Sequence, residues 1–155
     1  MPKLFNLHGD EWDREEDRPG WRSKDAWVGR RIGAELLGGS LYELAPGDRL
    51  YPYHTHHANE EWLLVVRGEP TLRTPDGEQP LREGDVVAFP RGDEGLHQVL
   101  NRTETPIRVL MLSSMIAPDI VDYPDSGKLG ARDAKGKRIM LGRPGPILDY
   151  WDGED

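Results

Sequence analysis

The chain contains no cysteine. Disulfides, zinc ribbons, iron–sulfur clusters and thiol nucleophiles are therefore excluded, and the composition fits a reducing compartment. Positive charge is in deficit. Twenty lysines and arginines stand against 28 aspartates and glutamates, for a formal net charge of −8. A field of that sign repels phosphate backbones, so nucleic acid is not expected as a partner. No basic amphipathic segment is present to meet an acidic membrane surface. Long apolar runs are missing too. The longest, Trp62 to Val66, is far too short to span a bilayer. Met1 to His8 lacks the apolar stretch of a secretory signal. These absences lead to the expectation of a cytoplasmic protein without membrane or nucleic-acid partners.

Turn-forming residues are plentiful. Glycine (18) and proline (13) make up a fifth of the 155 residues, against roughly 12% in average usage. They are scattered, as turns between many short strands require. Ser40–Leu44 alternates and stops at Pro46-Gly47. Glu61–Arg67 is a near-continuous apolar run. Thr71–Arg73 enters the turn Thr74-Pro75-Asp76-Gly77 and returns through Gln79 to Leu81. Val86–Phe89, Leu96–Leu100 and Ile107–Leu112 complete the series. No helical period is sustained over three turns here, which predicts an all-β, antiparallel sandwich or barrel. Length fits one domain. The boundaries read as an N-terminal arm (1–25), a β-barrel (26–115) and a C-terminal extension (116–155) packing on the barrel or a partner subunit. The arm is charged, yet Trp12, Trp21 and Trp27 predict that parts of it pack against something. The extension reads as loops with one short strand.

Histidine is scarce, at five residues, and four of the five fall in two segments. One reads His54-Thr55-His56-His57-Ala58-Asn59-Glu60-Glu61. The other carries His97, with Asn101 four residues on. Alternate strand residues share a face, so His54 and His56 aim together. Glu61 opens the next strand. His97 joins them only if the sheet closes around it. Three imidazoles and a carboxylate suit one divalent transition metal (Fe, Mn, Ni, Co or Zn) with coordination positions left open. The predicted ligands are His54, His56, Glu61 and His97. Parity points His57 and Glu60 away, and His8 lies in the arm. Leu63, Val65 and Val99 share the ligands' parity and are expected to line an apolar pocket. Arg67 either turns inward toward a substrate carboxylate or reaches solvent beside Gly68; its place at a strand end favours solvent. Tyr51 and Tyr53 are candidates for pocket-rim donors, although aromatic packing is the commoner role. No general acid or base outside the metal shell stands out.

These segments resemble the two motifs of the cupins. The first runs Gly47, six residues, His54-Thr55-His56, four residues, Glu61, six residues, Gly68. The second runs Gly84, five residues, Pro90-Arg91-Gly92, four residues, His97, three residues, Asn101. The chain departs by one extra residue before His54 and two before His97, both in expected loops. The resemblance is specific over residues 40–113, with a weaker likeness, through Pro124-Asp125, to small stand-alone bacterial cupins of unassigned function. It implies a double-sheet, jelly-roll β-barrel with irregular terminal arms, often a homodimer, with the metal inside. The family's activities range from dioxygenases and isomerases to lyases and non-catalytic binders, so the fold alone does not select one. The leading expectation is a metalloenzyme (oxidoreductase, isomerase or lyase) acting on a small organic metabolite. A non-catalytic metal-dependent binding protein and a purely structural metal are the alternatives.

Overall fold

The computed structural model describes residues 1–154. In chain order the strands are β1 (Arg14–Glu16), β2 (Ser23–Ala26), β3 (Gly38–Leu44), β4 (Thr55–His56), β5 (Glu61–Arg67), β6 (Thr71–Thr74), β7 (Gly77–Pro80), β8 (Val86–Phe89), β9 (Gln98–Leu100), β10 (Ile107–Ser113), β11 (Asp119–Tyr123), β12 (Lys128–Arg132) and β13 (Arg138–Gly142). One short helix, α1 (Val28–Ile32), stands between β2 and β3. All sheet pairings are antiparallel. One layer is a six-stranded sheet in the order β1-β2-β3-β10-β5-β8. The other is built from a three-stranded sheet, β7-β6-β9, and a four-stranded sheet, β13-β12-β11-β4. The protein is all-β, as its alternating runs and dispersed turn residues predict.

The main core lies between the layers. Leu44, Leu63, Val65, Ile107, Val109 and Met111 from the six-stranded sheet meet Leu72 and Val99 from the three-stranded one. Registry places Tyr42, Val109 and Val65 in one row across β3, β10 and β5, and Ser40, Met111 and Leu63 in the next. Continuing inward along β5 brings Glu61 to the same face. The opposite face of this sheet is covered by the N-terminal arm. Leu41 and Val66 form a second cluster with Ala26 and Val28, against which Phe5, Leu7 and Trp12 pack.

The arm is thus more than a solvated tail: β1 and β2 extend the sheet. Each arm tryptophan carries an arginine over its ring, Arg108 on Trp12, Arg49 on Trp21 and Arg30 on Trp27, at 4.6–5.0 Å. Such contacts stabilise a half-exposed ring without requiring deep burial. Buried Arg108 also binds Glu43 and Asp10, at 2.8 and 2.6 Å.

The C-terminal segment departs from the expectation of loops with one strand. It forms β11, β12 and β13, which pair onto β4. The signal was a single alternation, Asp119, Val121 and Tyr123, too short to be decisive without the strand it pairs with.

Gly68 closes β5 at φ +81°, and a Cβ there would stand 2.8 Å from Ile107 Cγ2. Both the left-handed backbone and the close approach require glycine. Asn101 is buried and ties down the 101–106 loop, donating to the carbonyls of Leu44 (3.1 Å) and Thr105 (2.8 Å). No helix among the described residues is long and apolar enough to cross a membrane.

Candidate metal centre

A backbone bridge brings the two histidine segments together. His54 and His97 form an antiparallel pair, with N–H to carbonyl distances of 3.2 and 3.0 Å in the two directions. His56 sits on β4, and Glu61 opens β5 facing inward. The His54, His56 and Glu61 ligand atoms all lie within 4.8 Å of one another. His97 stands outside that tighter trio but turns its Nε2 to the same carboxylate. The Nε2 atoms of His54, His56 and His97 are 3.9, 3.7 and 3.5 Å from Glu61 oxygens.

Each ring is held by its other nitrogen. His54 Nδ1 lies 2.8 Å from the Pro52 carbonyl, and His97 Nδ1 lies 2.8 Å from the Gly95 carbonyl. His56 Nδ1 lies 2.6 Å from Asp119 Oδ2. Carbonyl and carboxylate oxygens only accept, so each Nδ1 must carry the proton. Each Nε2 is then left with a lone pair. Phe89 stacks on His97 at 3.8 Å with a 3° tilt, and Tyr51 meets the His54 and His97 rings edge-on.

Four acceptor groups therefore converge with no donor among them. His97 Nε2 is buried without a hydrogen-bond partner, and buried polar atoms are rarely left so. Burial, helped by the neighbouring imidazoles, drives His54 down to about 4 and His97 down to about 3. Protons are thus poor candidates to fill the gap near neutral pH. Burial raises the Glu61 carboxyl above its ordinary value, against a lowering influence from His56. Asp119 is lowered: burial pushes it up, but hydrogen bonds from His56 and the Ala58 N–H outweigh that. A cation is the species that four converging lone-pair donors suit. Ligands about 2.1 Å from one ion stand about 3.0–3.4 Å apart at octahedral to tetrahedral angles. The imidazole-to-carboxylate separations of 3.5–3.9 Å are wider than this by up to about 0.9 Å, so the side chains would close in on an ion.

A cavity of ≈ 250 Å³ opens onto the cluster, lined by His54, His56 and Glu61 with Tyr42, Tyr51 and Tyr123 among the aromatics. A second cavity of ≈ 390 Å³ adjoins it, sharing Tyr42, His56, Glu61, Met111 and Arg132. The Tyr51 hydroxyl is buried with no hydrogen-bond partner, and burial holds it protonated well above its usual range.

His57 and Glu60 are exposed, as parity requires; Glu60 accepts from Trp62 Nε1 at 2.9 Å. His8 is exposed in the arm. Tyr53 packs away from the cavity with Arg73 4.0 Å over its ring. Leu63, Val65 and Val99 do not line the cavity: they fill the core, and Tyr42, Met111, Val121 and Tyr123 take the lining role. Arg67 is exposed, and a β-bulge is the reason. Arg108 pairs with Arg67 and Val109 with Val65, so Val66 is an extra residue. Beyond it the alternation inverts, sending Arg67 to the outer face with Arg108. Sequence reasoning missed Asp119, the partner of His56. It shares a strand face with Val121 and Tyr123, a period-2 signal that only pairing with β4 makes meaningful. It also missed Arg132 and Arg138, which line the cavity from β12 and β13.

Comparison with known proteins agrees with this geometry. Residues 40–113 match the family model described as Cupin domain. The chain is 34% identical, over 113 aligned residues, to auxin-binding protein ABP19b of Prunus persica; the match takes in 63% of this chain and 50% of that one. The chain thus spans about half the length of that relative. A sugar phosphate isomerase from the cupin superfamily of Silicibacter pomeroyi DSS-3 superimposes with a TM-score of 0.79 at 27% identity, covering 95% of this chain and 97% of the other. A protein provisionally assigned as a sugar phosphate isomerase, from Acidithiobacillus ferrooxidans ATCC 23270, gives 0.75 at 28% identity, covering 85% and 84%.

Proposed function

Because the chain is a member of the cupin superfamily, with the cupin domain over residues 40–113, we propose that the cavity beside His54, His56 and Glu61 is the active site of a divalent-metal-dependent isomerase acting on a small phosphorylated sugar. The observation that carries the metal half of this reading is the convergence of three tautomer-locked Nε2 lone pairs and the Glu61 carboxylate, with no donor between them. The substrate half is supported by the two solved structures described as sugar phosphate isomerases, one of them provisionally, each similar to more than four-fifths of this chain.

His54, His56, Glu61 and His97 would hold the ion. When bound, a divalent metal supplies Lewis acidity that polarises a carbonyl or lowers the pKa of a hydroxyl. The chain's own residues do the rest. Asp119, Pro52 and Gly95 keep the imidazoles in the tautomer that binds metal. The Tyr51 hydroxyl holds its proton beside the cluster and can donate it in a hydrogen bond to a substrate oxygen. Tyr42, Met111, Val121 and Tyr123 line the cavity and restrict water around the reacting carbons.

The test is elemental analysis of protein purified without a nickel column, followed by aldose–ketose interconversion assays on a panel of sugar phosphates. About one ion per chain, activity lost on chelation, and loss of metal in the His54→Ala, His97→Ala double variant are expected. Stoichiometric metal in that double variant would overturn the ligand set. A wild-type protein that keeps its ion, binds sugar phosphates tightly and returns them unchanged would replace the enzyme with a binding module.

A further inference from the structure

Arg132 and Arg138 stand directly opposite one another across β12 and β13. Both are exposed, and both line the ≈ 250 Å³ cavity that holds His54, His56 and Glu61. Like charges at directly paired positions destabilise a sheet. Among the described residues neither guanidinium forms an ion pair; Arg132 only donates to the Gly136 carbonyl in its own hairpin, at 3.0 Å. The carboxylate opposite Arg132 on the next strand is Asp119. It forms no ion pair with Arg132; its oxygens are turned instead to His56 at 2.6 Å and the Ala58 N–H at 2.9 Å. Ala131 pairs with Met140 but Arg132 with Arg138, so Ile139 is an extra residue that re-aims β13 at this point, and both arginines reach the cavity wall. Bulges commonly serve to redirect a side chain beside a site.

The global charge sharpens the point. A chain of net charge −8 repels a dianion. Two guanidiniums without an ion-pair partner among the described residues oppose that field at the cavity and offer planar, multi-donor forks suited to phosphoryl oxygens. We propose that Arg132 and Arg138 form an anion clamp that holds the phosphoryl group of the ligand, leaving its other end to face His54, His56 and Glu61. This rests on the reading of the cavity as the substrate site and adds to it the residues that select a phosphorylated ligand. The clamp comes wholly from the C-terminal hairpin, outside the residues matched by the cupin domain.

Inorganic phosphate is the probe, titrated by calorimetry into metal-replete and chelated protein. Arg132→Gln and Arg138→Gln should each weaken phosphate about tenfold, and the double variant by about a hundredfold, in both preparations. Arg67→Gln, the same charge change on the outer face, should leave phosphate binding unaltered. Metal content by elemental analysis should be the same in all variants. Wild-type phosphate affinity in the chelated double variant would overturn the clamp, as would an equal loss in Arg67→Gln. Acetate bound as tightly as phosphate would overturn the phosphoryl assignment. The outcomes separate the two readings. Arginine-dependent phosphate binding in a protein that takes up no metal would sink the metalloenzyme and leave the clamp; metal uptake and turnover without arginine-dependent binding would sink the clamp alone.

Discussion

Acidifying the metal-free protein from pH 7 to 5 should destabilise it through two imidazoles. His54 and His97 are buried and held down to about 4 and about 3 in the fold; in the unfolded chain each titrates near 6.5. Above pH 6.5 both states hold these rings neutral and neither contributes to a pH dependence. Below it the unfolded state takes up protons that the folded state refuses, so stability falls as pH falls. The loss continues until the folded values near 4 and 3 are reached. Each ring contributes about 1.4 kcal/mol per pH unit, hence about 2 kcal/mol at pH 5 and about 4 kcal/mol for the two. The raised Glu61 carboxyl works the other way as the pH approaches its range, so about 4 kcal/mol is an upper figure. The lowered carboxylates Asp13, Asp119 and Asp125 contribute stability that is present above their unfolded value near 3.8 and is lost only at more acid pH. Urea denaturation of chelated protein at pH 7, 6 and 5, analysed at constant m-value, measures the slope. For a domain of this size the loss corresponds to a melting-point drop of roughly 8–16 °C. The His54→Gln, His97→Gln variant should flatten the slope. A wild-type stability that stays level or rises between pH 6.5 and 5, or an unchanged slope in the variant, would refute the claim that these rings are buried and neutral.

Three further outcomes follow from the same geometry. Asp119→Asn presents one acceptor and one donor where His56 Nδ1–H and the Ala58 N–H both need acceptors. Metal affinity should fall about 10- to 100-fold in a competition titration against a fluorescent chelator, and an unchanged affinity would show that Asp119 does not orient His56. Tyr51→Phe removes a buried hydroxyl that has no protein partner, so the melting temperature should hold or rise slightly while kcat on the active sugar phosphate falls at least tenfold; full retained turnover would remove Tyr51 from the reaction. Gly68→Ala forces a Cβ into a left-handed position 2.8 Å from Ile107 Cγ2 and should cost about 2–3 kcal/mol in chemical denaturation, whereas a loss under about 0.5 kcal/mol would mean the turn relaxes freely.

Much of the site could be read before any coordinates. His54, His56, Glu61 and His97 were named from scarcity, spacing and strand parity, and all four turn toward one point. Strand parity also turned His57 and Glu60 outward correctly, because a two-residue alternation is a local property of the backbone. It failed at Arg67. The single extra residue at Val66 is visible only in the pairing of β5 with β10, and one such insertion inverts every side chain beyond it. The apolar residues beside the ligands met a similar limit: Leu63, Val65 and Val99 do face inward, but how deep a strand residue lies depends on what the opposite sheet places over it.

The local chemistry of this chain was written in its residue types: an all-β architecture, no thiol chemistry, an excess of acidic residues, and three histidines and a glutamate at metal-ligand spacing. Each of these depends on composition or on neighbours a few positions apart. Folding alone decided which carboxylate locks His56, which tyrosine hydroxyl is buried by the cluster, and which arginines face the cavity. Asp119, Arg132 and Arg138 reach the site through strand pairings between segments as much as 67 residues apart in the chain, and Tyr51 through ring contacts with His54 and His97. The physical reason is that hydrogen-bond registry between distant strands leaves almost no trace in the sequence of either strand by itself.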